Sequence, residues 1–445
     1  MQIMGKEAVR PERRWTVLLL LALGLMISFV DRTSMSAALA DHRFVAHFAL
    51  TNVERGWLGS AMFWSYGLLQ MPMGWLVDRY GVKWPYSVCF LLWCLAAAAT
   101  GLVTTLSALI LVRLVIGAAE AVVVPATYRY LADHFDETRK GTALGIYSIG
   151  GKMGPALGAP LAAWLIAASS WNAMFVITGL AGLVWLLPWQ MLLPWQMLLP
   201  NDFPSRAELA AAKRRAASVP LGNLLASPVV WGGLITNFCY SYFAFYCMTW
   251  MPAYLVEQRG LSLRQSGLYT FFSFAGIALV AALAGWAADR LIARGHDAVL
   301  VRKSFIVAGF VGGTTVLFGA YAPSLQSALF WNVTSLSLVG LVTANNLALV
   351  KLTLIPKPAV GLNTGLQQVA TSLAGGVSAS LSGWLLHVGH SYTLPMAAIF
   401  GFLLLGATST VVLLRRKWAP KIKESGCEEP QDGRGAQAYA NKSVR

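Results

Sequence analysis

The chain has 445 residues, 57% of them hydrophobic and only 12% charged, with a formal net charge of +15. Soluble domains carry roughly a quarter charged residues, and a water-soluble chain of this length could not hide so much apolar surface. The composition therefore calls for an all-α polytopic membrane protein. The positive charge does not imply nucleic acid: it clusters at Lys6, Arg10, Arg13 and Arg14, at Arg206, Lys213, Arg214 and Arg215, and from Arg415 to Lys423. These clusters flank apolar runs, as cytoplasmic loops do when they fix topology, and no basic face with interleaved aromatics accompanies them.

A helix needs about 20 apolar residues to cross a hydrocarbon core of roughly 30 Å. That length gives twelve predicted spans, at 15–37, 56–77, 84–104, 107–131, 141–169, 171–199, 228–256, 265–288, 302–322, 325–355, 361–386 and 392–415. The first resembles a cleavable secretory signal ending at Ala38-Leu39-Ala40, but Asp31-Arg32 interrupts it and many spans follow, so it reads as a retained helix. Links after spans 2, 4, 8 and 10 carry Lys and Arg, whereas those near Thr104, Ser169, Tyr321 and His390 carry none. Both termini are therefore expected in the cytoplasm. On the other side, the first link carries Arg43 and Arg55 and the fourth carries Arg259 and Arg264.

The polar stretch Ala207 to Ala217 divides the chain into two six-helix halves. The expected parts are a cytoplasmic N-terminus (1–14), a first half (15–200), a linker (201–227), a second half (228–415) and a disordered cytoplasmic tail (416–445). The halves echo each other: Gly74-Trp75-Leu76-Val77-Asp78-Arg79 ends span 2, and Gly285-Trp286-Ala287-Ala288-Asp289-Arg290 ends span 8. Repeated halves underlie alternating access, with a site near the midplane. Between Leu186 and Pro200 the hexapeptide LLPWQM occurs twice, lengthening span 6 without evident chemistry.

Charges inside spans mark candidate functional sites, because each is costly in lipid. Asp31 and Arg32 stand about 16 residues, or roughly 24 Å, along the first span. Adjacent on a helix, they point to different partners. Arg32 suits a carboxylate through its planar fork, and Asp31 suits a proton, since loss of water favours the neutral acid. In span 4, Arg113 and Glu120 share a face about 10 Å apart, too far to satisfy each other closely. Glu120, near mid-membrane, is the leading proton carrier.

In span 5, Gly150, Gly154 and Gly158 form a stripe for close packing. Lys152 beside it is placed to bind an anion or to pair with Glu120. The second half offers neutral hydrogen-bonding groups: Asn345, Asn346, Gln367, Gln368, Thr371 and Ser372. These suit recognition of hydroxyls or contacts between helices. Tyr66 and Gln70, four residues apart, share one face of span 2.

Enzyme signatures are missing. There is no HExxH and no GxSxG, and Gly150-Gly151-Lys152 lacks the first glycine and the final Ser or Thr of a phosphate loop. The five cysteines have no metal or disulfide spacing, and the histidines suggest no metal site. No cofactor is expected beyond a proton gradient as energy source.

Gly74-x3-Asp78-Arg79-x-Gly81-x-Lys83 resembles the loop 2–3 signature of the major facilitator superfamily. Asp31-Arg32, Tyr66-x3-Gln70-x-Pro72, Arg113-x3-Gly117-x2-Glu120-x4-Pro125 and Thr249-Trp250-x-Pro252-x-Tyr254-Leu255 resemble, more narrowly, its anion:cation symporter family, over roughly residues 15 to 415. That resemblance implies twelve transmembrane helices in two pseudo-symmetric halves. It further implies a monomer in the inner membrane that carries a sugar acid or other small carboxylate together with protons. Arg32 would hold the carboxylate with help from Tyr66. Asp31 and Glu120 would take protons, Arg113 would modulate Glu120, and Gly74, Asp78, Arg79, Gly81, Lys83, Asp289 and Arg290 would serve gating.

The chain departs from the sugar-acid permeases at Phe29 (often Tyr), Gly151 (often Gln), Lys152 and Gln368 (an Asn position). An expected aromatic is also absent around Asn345 to Ala348. Two other readings are weighed: a proton-coupled drug or metabolite exporter, suggested by the span 5 glycines, and a carboxylate sensor, which would need an output module that the short linker and tail do not provide.

Overall fold

Sequence-distant helices meet at small residues, and the twelve rods are best described by those meetings. The computed structural model describes residues 11–192, 221–356 and 359–420. The basic clusters before Pro11 and between 201 and 220, Lys357, most of the second LLPWQM copy and the tail after 420 lie outside the described residues.

In the first half, α1 spans Pro11–Leu39, α2 Asn52–Tyr80 and α3 Lys83–Thr100. α4 comprises Leu106–Glu120 and Val123–His134, α5 spans Glu137–Ala168, and α6 comprises Trp171–Gly182, a 3-10 turn and Leu186–Leu192. In the second half, α7 comprises Pro228–Thr249 and Met251–Glu257, and α8 spans Leu263–Ala293. α9 comprises Ala298–Gly313 and Val316–Tyr321. α10 spans Leu325–Ala348 and runs into a π turn, Leu349–Leu354; α11 spans Val360–Gly389 and α12 Thr393–Leu413.

Every predicted span corresponds to one rod, but the boundaries shift. α1 begins inside the expected N-terminal segment, and α4 and α7 are broken where continuous helices were expected. The breaks follow from proline, which lacks an N–H and crowds the carbonyl four residues earlier. Pro125 interrupts α4 at Ala121–Val122, and Pro252 interrupts α7 at Trp250. Among the described residues, eight rods are long and apolar enough to cross a membrane on length and composition alone. The other four include α2 and α5, which line the interface between the halves. Large apolar side chains such as Leu68, Met71 and Met191 face outward, as a lipid-facing surface requires.

Within lipid, helices associate through close packing rather than hydrophobic expulsion, and small residues allow it. A Cβ added to Gly150, Gly154 or Gly158 of α5 would collide with Ala22, Phe29 or Thr33 of α1, so the glycine stripe is the contact between these helices. The halves meet along two seams, α2 with α11 and α5 with α8. Each seam joins the second helix of one half to the fifth helix of the other, as a pseudo-two-fold axis demands. Gly56 and Gly59 of α2 abut Ala379 of α11, and Gly267 of α8 abuts Ala159 and Pro160 of α5.

An even number of crossings puts both ends of the described chain on one face of the bundle, here called the terminal face. At the opposite face the halves are latched. Arg55 of α2 pairs with Glu257 of α7 at 2.6 Å, and the Tyr392 hydroxyl donates to the other Glu257 oxygen at 2.6 Å. Arg55 also donates to the Leu39 carbonyl at 2.7 Å and lies over the Trp250 ring. Ser36 of α1 donates to the Thr249 carbonyl at 3.1 Å. Toward the terminal face, Gly141 and Gly145 of α5 and Gly361 and Gly365 of α11 meet nothing within 4 Å. Both seams thus close at the opposite face and open toward the terminal one.

Candidate functional site: a charged centre between the halves

α1 carries Ser28, Phe29, Asp31 and Arg32 through its middle. Thr33 and Ser34 return their hydroxyls to backbone carbonyls of the preceding turn, so these polar groups cost the apolar helix little. Across from them, the break after Glu120 ends the first segment of α4 at that residue. A Cβ on Gly117 would strike the Met62 carbonyl, so α4 lies hard against α2 there.

Arg32 donates to Glu120 Oε2 through Nη2 at 2.9 Å and Nε at 3.3 Å, and Ser28 Oγ donates to the same oxygen at 2.8 Å. Both partners of this ion pair are buried, Glu120 completely. The second oxygen, Oε1, has no partner. All the hydrogen bonding converges on one oxygen, so the other is open to a proton, and a proton there would neutralise the carboxylate and weaken its charge-assisted hold on Arg32. Three aromatic faces enclose the guanidinium: Phe29 at 4.7 Å, Tyr66 at 5.1 Å and Phe63 at 5.5 Å. Such faces hold a cation without neutralising it.

Asp31 is buried with Oδ2 unpartnered, within electrostatic reach of Glu120, Arg113 and Arg32. Arg113 is buried too; its Nη2 contacts Met62 Sδ at 3.5 Å and its Nε has no partner. As the helical spacing predicts, Arg113 and Glu120 do not form an ion pair. The centre therefore holds two carboxylates and two guanidiniums with one salt bridge among them.

Lys152 is placed differently from one expectation. It does not pair with Glu120; its Nζ donates to the hydroxyl of Tyr240 on α7 at 2.6 Å, across the gap between the halves. On the α1 side, Leu25 and Phe29 lie against the neighbouring Gly151, 3.4 and 3.5 Å from where a Cβ would stand. Tyr66 meets the second half through Gln368, whose Nε2 lies 3.5 Å from the Tyr66 hydroxyl. Gln70 is buried with Nε2 unpartnered.

In the second half, Asn345 donates to the Leu341 carbonyl at 3.0 Å and leaves Oδ1 bare, while Asn346 Oδ1 and Gln367 Nε2 are bare as well. Asn237 of α7 donates to the Gln367 carbonyl and to Thr371, at 2.9 and 2.7 Å. Buried polar groups normally find partners, so these orphaned amide atoms are candidate contacts for a bound molecule.

The signature residues lie near the terminal face and make contacts within their own halves. Asp78 pairs with Arg129 at 2.8 Å, Asp289 pairs with Arg302 at 2.7 Å, and Arg79 and Arg290 lie over Trp75 and Trp286. Gly81 takes φ +75° at the end of α2, a conformation suited to glycine. A Cβ added to Gly74 would stand 3.9 Å from Pro125 of α4, and Lys83 is buried at the start of α3.

Several residues escaped the sequence reading: Ser28, Phe63, Arg129, Asn237, Tyr240, Glu257 and Asn363. Ser28 and Asn363 each lie four residues before an identified position, Arg32 and Gln367, so helical spacing could have found them. Asn363 is fully buried with both amide atoms unpartnered. Among the described residues no cluster of His, Cys, Asp or Glu is arranged to hold a metal ion.

Twelve helices in two interlocked halves around a buried charged centre define a membrane transporter fold. The Major Facilitator Superfamily profile matches residues 21–354, and the chain belongs to that family. It is 27% identical to the D-galactonate transporter of Escherichia coli O6:H1, over 92% of this chain and 97% of that protein. It is 26% identical to "Probable galactarate/D-glucarate transporter GudP" of Bacillus subtilis, over 92% and 95%. These similarities are consistent with the anion:cation symporter resemblance, and they belong to transporters, not enzymes. Among solved structures, a bacterial homologue of the human lysosomal transporter Spinster, inward-facing and occupied, superposes with a TM-score of 0.71 at 17% identity, covering 92% of this chain and 97% of that one. The D-xylose-proton symporter gives a TM-score of 0.67 at 15% identity, over 92% and 98%.

Proposed function

We propose that the protein is a proton-coupled symporter of a small organic anion, a sugar acid or related carboxylate. The observation that carries the reading is the Arg32–Glu120 pair, in which an internal carboxylate already occupies the guanidinium. A substrate carboxylate can take that place only if Glu120 gives it up, and protonation of Glu120 is the step that releases Arg32. Anion binding and proton uptake then become one exchange. Asp31, with Oδ2 unpartnered beside the pair, is the second proton site, and Arg113 holds positive potential over both carboxylates. Tyr66 and Gln70 border the carboxylate. Asn345, Asn346, Gln367 and Gln368 read its hydroxyls through their open hydrogen-bonding positions.

The Lys and Arg asymmetry of the links supports a cytoplasmic terminal face in the inner membrane, and on that orientation the carrier opens inward. Reorientation requires the Arg55–Glu257 latch to part while the signature residues at the other end draw together. The complete candidate site lies within one chain, which supports a functional monomer. The glycines that suggested the exporter reading pack α5 on α1, so they do not by themselves favour export.

Purified protein in proteoliposomes provides the test. An outside-acid gradient should drive accumulation of a sugar acid, and a protonophore should abolish it. Uptake indifferent to the gradient would remove proton coupling from the account.

A further inference from the structure

The charges at the centre do not balance. Asp31 and Glu120 offset Arg32 and Arg113, which leaves Lys152 as surplus positive charge. Lys152 makes no ion pair among the described residues, and its one hydrogen-bond partner is the neutral hydroxyl of Tyr240. An ammonium has three donors, so two remain open. The four balanced groups are at most 8% exposed, whereas Lys152 is only partly buried. An uncompensated cation inside a membrane protein is costly and calls for a partner.

Phe29 relates this cation to the first. Its ring face carries the Arg32 guanidinium at 4.7 Å, and its edge rests against the backbone next to Lys152, at Gly151. Arg32 thus lies on one face of Phe29, and Lys152 follows directly, on the neighbouring helix, the glycine that the ring edge approaches. They differ in what each must release to bind an anion. Arg32 must part from Glu120, whereas Lys152 has no carboxylate to release.

We infer that Lys152 and Tyr240 form a second carboxylate position, and that the preferred substrate is a linear diacid whose two ends lie at Arg32 and at Lys152. The proposal rests on the anion-symport reading and names the substrate class within it. One carboxylate docks on Lys152 without proton exchange; the other takes Arg32 as Glu120 is protonated. Because Tyr240 belongs to the second half, the carboxylate at Lys152 also ties the halves together at the site.

The test uses the full chain in detergent and matched pairs of acids differing only in the second carboxylate: D-glucarate with D-gluconate, galactarate with D-galactonate, and glutarate with valerate. Titration should show at least one diacid binding about tenfold or more tightly than its monoacid, the scale of one charge-assisted hydrogen bond. Lys152→Gln should bring that ratio to about one, and Lys152→Arg should restore it. Monoacids binding as well as or better than their diacids would overturn the proposal and leave the anion reading intact. A preference that survives Lys152→Gln would likewise overturn it. If no acid of any pair binds, the anion reading itself fails. Should Lys152→Gln not yield folded protein, the wild-type ratio and the Tyr240→Phe variant, expected to narrow that ratio, still decide the matter.

Discussion

The two halves share a helical plan and divide the chemistry between them. Asp31, Arg32, Arg113, Glu120 and Lys152 all belong to the first six helices. The facing helices of the second six carry amides and hydroxyls instead: Asn237, Asn345, Asn346, Asn363 and Gln367, several with bare donors or acceptors. On the proposed reading, the pseudo-symmetry serves movement and not binding. The symmetric seams would let either end open, while the asymmetric centre would give one half the work on charge and the other the work on hydroxyls. The same asymmetry appears near the terminal face, where Asp78 pairs with Arg129 on α4 but its counterpart Asp289 pairs with Arg302 on α9.

The sharpest way to break this division is at Arg32. Arg32→Ala should weaken anion binding by about a hundredfold or more, as truncation of a buried, hydrogen-bonded charge does. Arg32→Lys should recover only part of it, since an ammonium lacks the planar fork. Binding isotherms check both, and unchanged affinity in Arg32→Ala would remove the first half's claim on the carboxylate.

A smaller effect is expected across the gap. Gln367→Leu and Asn363→Leu should each lower affinity for a hydroxylated acid by roughly three- to tenfold, the scale of a single neutral hydrogen bond. The same changes should leave an unhydroxylated acid of equal length unaffected. Asn363→Leu should also leave thermal stability unchanged or raised, because it replaces a buried amide whose donors and acceptor are unsatisfied. Equal losses for both kinds of acid would mean that the second half does not read hydroxyls.

What could be read directly from the chain was what is local along it. A charge within an apolar span stands out, so Asp31, Arg32, Arg113, Glu120 and Lys152 could be found without a structure. The four-residue period of Gly150, Gly154 and Gly158 announced a helix contact, though not that α1 was the partner. Pairings between distant segments were hidden because they depend on which helices become neighbours. Arg55 was visible as an odd charge on the other side, yet its partner Glu257 lies in the other half of the chain. Tyr240 was one aromatic among many in α7 until its hydroxyl met Lys152. Phe29 looked like a lost hydroxyl; the structure gives it another use, as an aromatic face under Arg32.

The central claim is that Arg32 exchanges Glu120 for the substrate when Glu120 is protonated. It is tested most directly by measuring substrate affinity against pH in the wild type and in Glu120→Gln. If one proton enters with the anion, wild-type affinity should rise as pH falls, by up to about tenfold per pH unit. Glu120→Gln leaves a neutral group beside Arg32 at every pH, so it should bind tightly throughout and lose that dependence. A Glu120→Gln variant that keeps the wild-type slope would contradict the account.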